Sequence, residues 1–72
     1  MKAIINGKLY NTTTSTMLYS GAGESLWKTE NGSYFKIVMD IIVPQTEEEA
    51  KEYLGMKDAD MYIKEFGEVE LA

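Results

Sequence analysis

The stretch that decides the fold is SLWKTENGSYFKIVM, residues 25–39. Asn31-Gly32 at its centre favours a two-residue type I′ hairpin turn, because both turn positions need a positive φ that Asn and Gly tolerate. The flanking residues are mostly aromatic, aliphatic or β-branched, which is typical of strands. With this two-residue loop, we expect Trp27 to pair with Lys36.

This register assigns the side chains of the hairpin to two faces, because neighbouring residues in a strand point to opposite sides. The predicted core face carries Leu26, Phe35, Ile37 and Met39. The predicted second face carries Trp27, Thr29, Tyr34 and Lys36. Two interpretations of the second face stay open. Its side chains stabilise the hairpin through cross-strand contacts, with or without the helices covering them, or Trp27 and Tyr34 form a partly exposed anchor that binds a partner.

A second Asn-Gly pair, Asn6-Gly7, predicts another tight hairpin near the start of the sequence. Its strands are expected at about 2–5 and from Lys8 onward, with Ile4 opposite Leu9. The run TTTST from Thr12 predicts a loop or ragged strand that becomes regular at about 16–20. The glycines at 21 and 23 then predict a turn or bulge.

The C-terminal half changes to helical patterning after Pro44, where we expect any strand to stop because proline cannot donate to a ladder. Asp40 is predicted to mark a bend or bulge. Thr46 and Glu49 have the spacing of a capping box, which predicts a helix start. Its expected buried stripe is Ala50, Tyr53 and Leu54, and Gly55 is the expected stop.

A second short helix is predicted from Asp58, with Gly67 at its end. Its apolar stripe is Ala59, Tyr62, Ile63 and Phe66. Of the two helices, we expect these side chains to face the sheet: Tyr53, Leu54, Tyr62, Ile63 and Phe66.

The order of these elements predicts an α+β fold in a single domain, residues 1–72. Residues 1–45 form a small antiparallel sheet of about four to five strands, built on the two Asn-Gly hairpins. Residues 46–67 form one or two short helices packed on that sheet, and residues 68–72 form a frayed acidic tail.

The charge is divided unevenly along the chain. All seven basic residues are lysines, against twelve acidic residues. Residues 1–39 hold four lysines and two acidic residues, a balance of +2, whereas residues 40–72 hold three lysines and ten acidic residues, a balance of −7. Such an acidic half argues against direct nucleic-acid binding and is compatible with a basic protein partner.

Several kinds of site are disfavoured by composition and spacing. Without Cys or His, thiolate and imidazole chemistry is unavailable. The carboxylates of residues 47–49 diverge around a helix, and Asp58 with Asp60 lacks the rest of a calcium loop. We therefore expect no metal and no cofactor. No apolar run is long enough to span a membrane, and the absence of Cys fits a reducing compartment, so we expect a cytoplasmic protein.

Four segments carry a family resemblance: INGKLYNTTTST (5–16), ESLWKTENGSYFK (24–36), IIVPQTEEEAKEYL (41–54) and DADMYIKEFGEVE (58–70). Together they resemble small uncharacterised proteins carried by phages and other mobile elements of Gram-positive bacteria. Those proteins have a longer Gly/Ser-rich insertion after the central hairpin, which this chain lacks. The resemblance implies a mobile-element origin and supplies no functional residues.

The favoured function is an inhibitor of a host defence nuclease complex, of the anti-CRISPR type, that acts by protein–protein interaction. Its partner would be a protein, such as the basic nucleic-acid-binding surface of a CRISPR effector, and the inhibitor would be a monomer or homodimer. The residues predicted to bind the partner are Trp27, Tyr34, Lys36, Glu48, Glu52 and Asp60.

Two other functions stay open. The first is a regulatory or scaffolding module of the mobile element, with a partner of its own. The second is an enzyme that uses Glu24, Glu30 or Asp40 as acids, which is less favoured because so small a chain has little room for a substrate pocket. We expect no enzymatic activity.

Overall fold

The computed structural model describes residues 1–67 and 69–72, and within them the strands precede the helices. The elements in chain order are β1 (Lys2–Ile5), β2 (Lys8–Asn11), a 3-10 turn (Thr12–Thr14), β3 (Thr16–Gly21), β4 (Glu24–Lys28), β5 (Tyr34–Val38), β6 (Ile41–Gln45), α1 (Glu47–Lys57) and α2 (Ala59–Phe66). All ladders are antiparallel. The predicted α+β class is therefore confirmed, although the strands form two sheets rather than one.

The two-stranded sheet is the hairpin of β1 and β2. Asn6 and Gly7 both have positive φ, at 51° and 75°, as the two-residue turn requires. Ile4 pairs with Leu9 as predicted. The Thr12–Thr14 turn that follows is capped by Asn11, whose side chain accepts from the Thr13 amide at 3.0 Å.

The four-stranded sheet is a meander in the order β3-β4-β5-β6. Ala22-Gly23 joins β3 to β4, which confirms the turn predicted there, and Met39-Asp40 joins β5 to β6. All four of these turn residues have positive φ. Met39 has φ 49° without being glycine, a conformation that costs an ordinary L-residue about 1–2 kcal/mol.

The loop of the central hairpin differs from the prediction. Only Gly32 in this loop has a positive φ, and Asn31 does not. The Thr29 amide donates to the Ser33 carbonyl at 2.8 Å, so three residues, 30–32, form the loop. The Gly32 amide donates to the Thr29 carbonyl at 3.0 Å, which closes a turn over residues 29–32. Gly32, at the end of this turn, is the residue in the left-handed region.

The extra loop residue shifts the register by one, and the predicted pairing of Trp27 with Lys36 is wrong. Trp27 pairs with Phe35, and Leu26 pairs with Lys36. Because side chains alternate along a strand, a one-residue shift moves every side chain of one strand to the opposite face relative to the side chains of its partner strand. Trp27 therefore shares a face with Phe35, while Tyr34 shares the opposite face with Leu26.

Strand β6 continues through Pro44 to Gln45, so the predicted stop at Pro44 is also wrong. Pro44 pairs with Phe35, but β6 is at the edge of the sheet. An edge strand tolerates proline where the missing N–H would have pointed to solvent.

Helix α1 begins with the predicted capping box. The Glu49 amide donates to Thr46 Oγ1 at 3.0 Å, and the Thr46 amide donates to Glu49 Oε1 at 2.8 Å. The predicted stop at Gly55 is wrong, because α1 continues to Lys57. Asp58 then ends α1 and caps α2, accepting from the Met61 amide at 3.0 Å.

Both faces of the four-stranded sheet are covered, which gives the molecule three layers. On one face the helices bury a cluster of Leu18, Leu26, Tyr34, Ala50 and Leu54. On the other face the β1–β2 hairpin covers a cluster of Tyr10, Phe35 and Ile42. The predicted core face, which combined Leu26 with Phe35, Ile37 and Met39, is therefore wrong: Leu26 and Phe35 belong to different clusters, and Met39 is 83% exposed.

Helix α2 packs less deeply than its apolar stripe predicts, and none of its residues is fully buried. Tyr62 and Phe66 pack against the helix-side cluster as expected, together with Met61. Ile63 was predicted to face the sheet, but 44% of it is exposed. Residues 69–72 have no regular secondary structure, and Glu68, the first residue of the predicted tail, lies outside the described residues.

Candidate protein-interaction surface

Trp27 lies on the face of the four-stranded sheet that the β1–β2 hairpin covers. Its ring stacks on that of Phe35, with 6.1 Å between centroids and 7° between planes. Its indole Nε1 donates to Ser25 Oγ at 2.8 Å. The side chain is half-buried against the hairpin-side cluster. These contacts stabilise the fold, and they do not place Trp27 beside Tyr34 or Lys36 as predicted.

Tyr34 lies on the helix side and is only 5% exposed. Its hydroxyl donates to Glu65 Oε2 at 3.1 Å, and Lys28 Nζ approaches the same oxygen at 2.6 Å. We refer to Lys28, Tyr34 and Glu65 as the Glu65 group. It links β4 and β5 to α2, and burial together with the Glu65 bond raises the pKa of Tyr34 to about 12.

Lys36 belongs to a second cluster of the same composition, Glu24, Lys36 and Tyr53, which we refer to as the Glu24 group. Lys36 Nζ lies 3.2 Å from Glu24 Oε1 and 4.0 Å from the centroid of the Tyr53 ring. Lys36 was predicted to pair with Trp27, but the aromatic ring that it covers is that of Tyr53. The bond from Lys36 lowers the pKa of Glu24.

Tyr53 anchors α1 over the Glu24 group. Its ring meets Tyr19 edge-on at 5.8 Å, and its hydroxyl is shielded from solvent without a well-formed hydrogen bond among the described residues. Burial, with a contribution from the neighbouring Glu24 carboxylate, raises the pKa of Tyr53 to about 12. Neither group has a signature in the sequence, although Glu65, three residues after Tyr62, lies beside the apolar stripe of α2.

The predicted acidic residues Glu48, Glu52 and Asp60 are all exposed on the helical layer. In residues 1–67 and 69–72, the ion pairs are Lys28–Glu65, Lys36–Glu24 and Lys51–Glu47, so none of the three acids is paired. Glu48 and Glu52 are four residues apart and share one face of α1. These three carboxylates form what we refer to as the acidic face.

The opposite outer layer has a different chemistry. Its exposed residues include Lys2, Ile4, Lys8 and Leu9, with Ile4 74% and Leu9 58% exposed. No acidic residue precedes Glu24 in the sequence. The molecule therefore presents negative charge on its helical layer and positive charge on its hairpin layer, with the four-stranded sheet between them.

A polar recess of about 400 Å³ lies between β2, the Thr12–Thr14 turn and the loop of the central hairpin. Several of its hydroxyl groups bond within their own loops: Ser15 Oγ donates to the Asn11 carbonyl at 2.7 Å, and Thr29 Oγ1 accepts from the Ser33 amide at 3.0 Å. These bonds account for part of its polar lining, and no residue of the acidic face lines the recess.

Two of the three acids proposed for catalysis lie far apart, and the third, Glu24, is bound to Lys36. Glu30 and Asp40 lie in the loops at opposite ends of β5, separated by a five-residue strand of roughly 15 Å. That separation exceeds the ~5–9.5 Å between paired carboxylates of glycosidases. Among the described residues, no group of three or more acids is arranged to hold a metal ion.

Within the described part of the chain, no helix is both long and apolar enough to cross a bilayer. Comparisons with protein-family models, with curated proteins and with solved structures gave no match.

Proposed function

We propose that the protein acts by protein–protein interaction, through the acidic face of its helical layer, on a basic surface of its partner. The single observation that carries this proposal is the set of exposed, unpaired carboxylates of Glu48, Glu52 and Asp60 on two adjacent helices. Charges left unpaired on one face steer an oppositely charged partner and raise the rate of association.

The proposed partner is the nucleic-acid-binding surface of a host defence nuclease complex, which the protein would block in the manner of an anti-CRISPR protein. Support comes from the resemblance to phage and mobile-element proteins and from the sign of the charge. A groove that binds phosphates is lined with Lys and Arg, and an acidic face can compete with nucleic acid for it.

Trp27 and Tyr34 are not part of the proposed surface. Trp27 is stacked on Phe35, and Tyr34 is buried against α2. Lys36 is bound to Glu24 and covers Tyr53. The three residues support the fold from within, so the acidic residues are the part of the sequence-predicted site that we retain.

The experiment is a nuclease-inhibition assay with CRISPR effectors of Gram-positive bacteria, preceded by affinity capture from a host lysate. The test variant changes Glu48, Glu52 and Asp60 together to Gln, Gln and Asn, which removes charge with little change in shape. The matched control changes Lys2 and Lys8 to Gln on the opposite layer. We expect the acidic variant alone to lose inhibition, and the loss to resemble the effect of added salt.

Two results would count against the proposal. Capture of proteins encoded by the element, without a nuclease subunit, would favour the regulatory or scaffolding function. Inhibition that is unaffected by both salt and the triple variant would remove the acidic face from the mechanism. Thermal melting of each variant verifies that a lost effect is not lost folding.

A further inference from the structure

An apolar groove of about 190 Å³ opens on the outer surface between α1 and α2. It is lined by Gly55, Ala59, Tyr62, Ile63 and Val69. Gly55, Ala59 and Ile63 are exposed, and so is Val69 at 53%. The groove therefore presents apolar side chains to solvent, outside the core clusters of the sheet.

The groove exists because small residues meet at the helix junction. A Cβ atom at Gly55 would lie 3.4 Å from the Tyr62 ring, at the near limit of ordinary van der Waals contact. Gly55 lies inside α1 without a positive φ, so its backbone does not require glycine. Glycine within a helix costs about 0.5–1 kcal/mol relative to alanine, and here the absence of a side chain leaves the groove beside the Tyr62 ring open.

Helical spacing places an acidic residue near this groove on each helix. Glu52 is one turn before Gly55 on α1, and Asp60 is one turn before Ile63 on α2, so each shares a face with a lining residue. Both are members of the acidic face. On the opposite outer layer, the exposed apolar residues Ile4 and Leu9 lie in strands that contain lysines and no acidic residue.

We propose that this groove receives an apolar side chain of a cationic segment of the partner, whose Lys or Arg residues contact Glu52 and Asp60. The inference rests on the proposed function and specifies it: the partner segment is amphipathic, with at least one apolar residue between basic ones. The volume suits one aliphatic or aromatic side chain, and the neighbouring carboxylates select the positive charge around it.

Two synthetic peptides of twelve residues serve as probes, with the same number of lysines. One has leucines at spacings of three and four residues, and the other has serines at those positions. Binding is followed by backbone amide shifts of the ¹⁵N-labelled protein. We expect the leucine peptide to bind about tenfold or more tightly than the serine peptide, with the largest shifts at Gly55, Ala59 and Ile63.

Ala59→Leu is the test variant, because it fills the groove at an exposed helical position. It should remove the advantage of the leucine peptide and leave binding of the serine peptide unchanged. Met56→Leu is the matched control, since Met56 is 87% exposed on α1 and does not line the groove. Ile63→Ala, which removes one wall, should also reduce the advantage, and it keeps the test valid if Ala59→Leu folds poorly.

The outcomes separate the groove from the acidic face. If both peptides bind equally well and the Glu48/Glu52/Asp60 triple variant binds neither, the proposed role of the groove is overturned and the proposed function is retained. A leucine advantage that persists in Ala59→Leu and Ile63→Ala, or that maps to Ile4 and Leu9, would also overturn the groove. If neither peptide binds, both the groove and the acidic face are overturned.

Discussion

The two Asn-Gly hairpins have the same dipeptide at their turns and differ in loop length. Asn6 and Gly7 both have positive φ and form a two-residue loop, whereas Asn31 does not, and Gly32 closes a three-residue loop. The flanking residues differ: Thr29 Oγ1 accepts from the Ser33 amide at 3.0 Å and favours the longer loop. The pair therefore shows that an Asn-Gly dipeptide predicts a hairpin but does not by itself determine its register.

Burial provides the second reason for the difference. The β1–β2 hairpin is covered on one side only, and its Ile4–Leu9 pair faces solvent. The central hairpin is covered on both sides, with Leu26 and Phe35 each 0% exposed. In the observed register these two residues fill different cores, one beneath the helices and one beneath β1–β2.

The largest expected effect comes from the core of the central hairpin. Phe35→Ala should lower the free energy of unfolding by about 3–5 kcal/mol, because it leaves a cavity among Trp27, Tyr10 and Ile42. Leu9→Ala, at 58% exposure in the other hairpin, should change it by less than about 0.5 kcal/mol. Urea denaturation measures both, and Phe35→Leu serves if the alanine variant does not fold. Similar losses for Phe35→Ala and Leu9→Ala would contradict the difference in burial.

The two asparagines should respond differently to alanine. Asn6→Ala places an ordinary residue at φ 51° and should lower the free energy of unfolding by about 1 kcal/mol. Asn31→Ala needs no positive φ, and we expect a change within about 0.5 kcal/mol. Matched urea titrations of the two variants make the comparison. Equal losses would indicate that both turns are of the two-residue type.

A smaller effect is expected from the hydroxyl group of Thr29. Thr29→Val removes the acceptor of the Ser33 amide and should lower the free energy of unfolding by about 0.5–1.5 kcal/mol. Thr13→Val is the control, because the Thr13 hydroxyl forms no bond in the described structure. Cross-strand contacts between Trp27 and Phe35, observed by NMR, report whether the register survives. If Thr29→Val loses no more stability than Thr13→Val, the Thr29 hydroxyl does not explain the longer loop of the central hairpin.

The smallest effect near neutral pH concerns Tyr34, which the observed register brings to Glu65. Its pKa in the folded protein is raised to about 12, above the ~10 of an unfolded tyrosine. The folded state therefore holds its proton more tightly, so stability is fully present below pH 10 and falls as pH rises towards 12. Tyr34→Phe should make this fall shallower, and chemical denaturation between pH 9 and pH 12 measures it. Tyr53, whose pKa is also raised to about 12, should contribute to the fall in the same direction.

The sequence predicted local features well where one short motif controls one turn or helix start. The Asn6-Gly7 turn, the capping box of Thr46 and Glu49, and the start of the second helix at Asp58 are such features. It failed at the register of the central hairpin, where distant contacts decide the outcome because the hairpin fills two cores. It also failed at Gly55, through which α1 continues to Lys57.

The candidate site divides in the same way. The exposure of Glu48, Glu52 and Asp60 follows from helical periodicity, so that exposure could be predicted from the sequence. The faces of Trp27, Tyr34 and Lys36 depend on one residue of register, so the sequence did not predict that Trp27 lies on the face opposite Tyr34 and Lys36. The groove at Gly55 forms where α1 and α2 meet, so the sequence of neither helix predicts it alone.

The meander also has a kinetic consequence. Each strand of the two sheets pairs only with its neighbour in sequence, and the loops within these hairpins have two or three residues. Closing such loops costs little entropy, and low contact order accompanies rapid folding. The sheets need no crossover between distant strands, so the chain should fold faster than a β-sandwich of equal length.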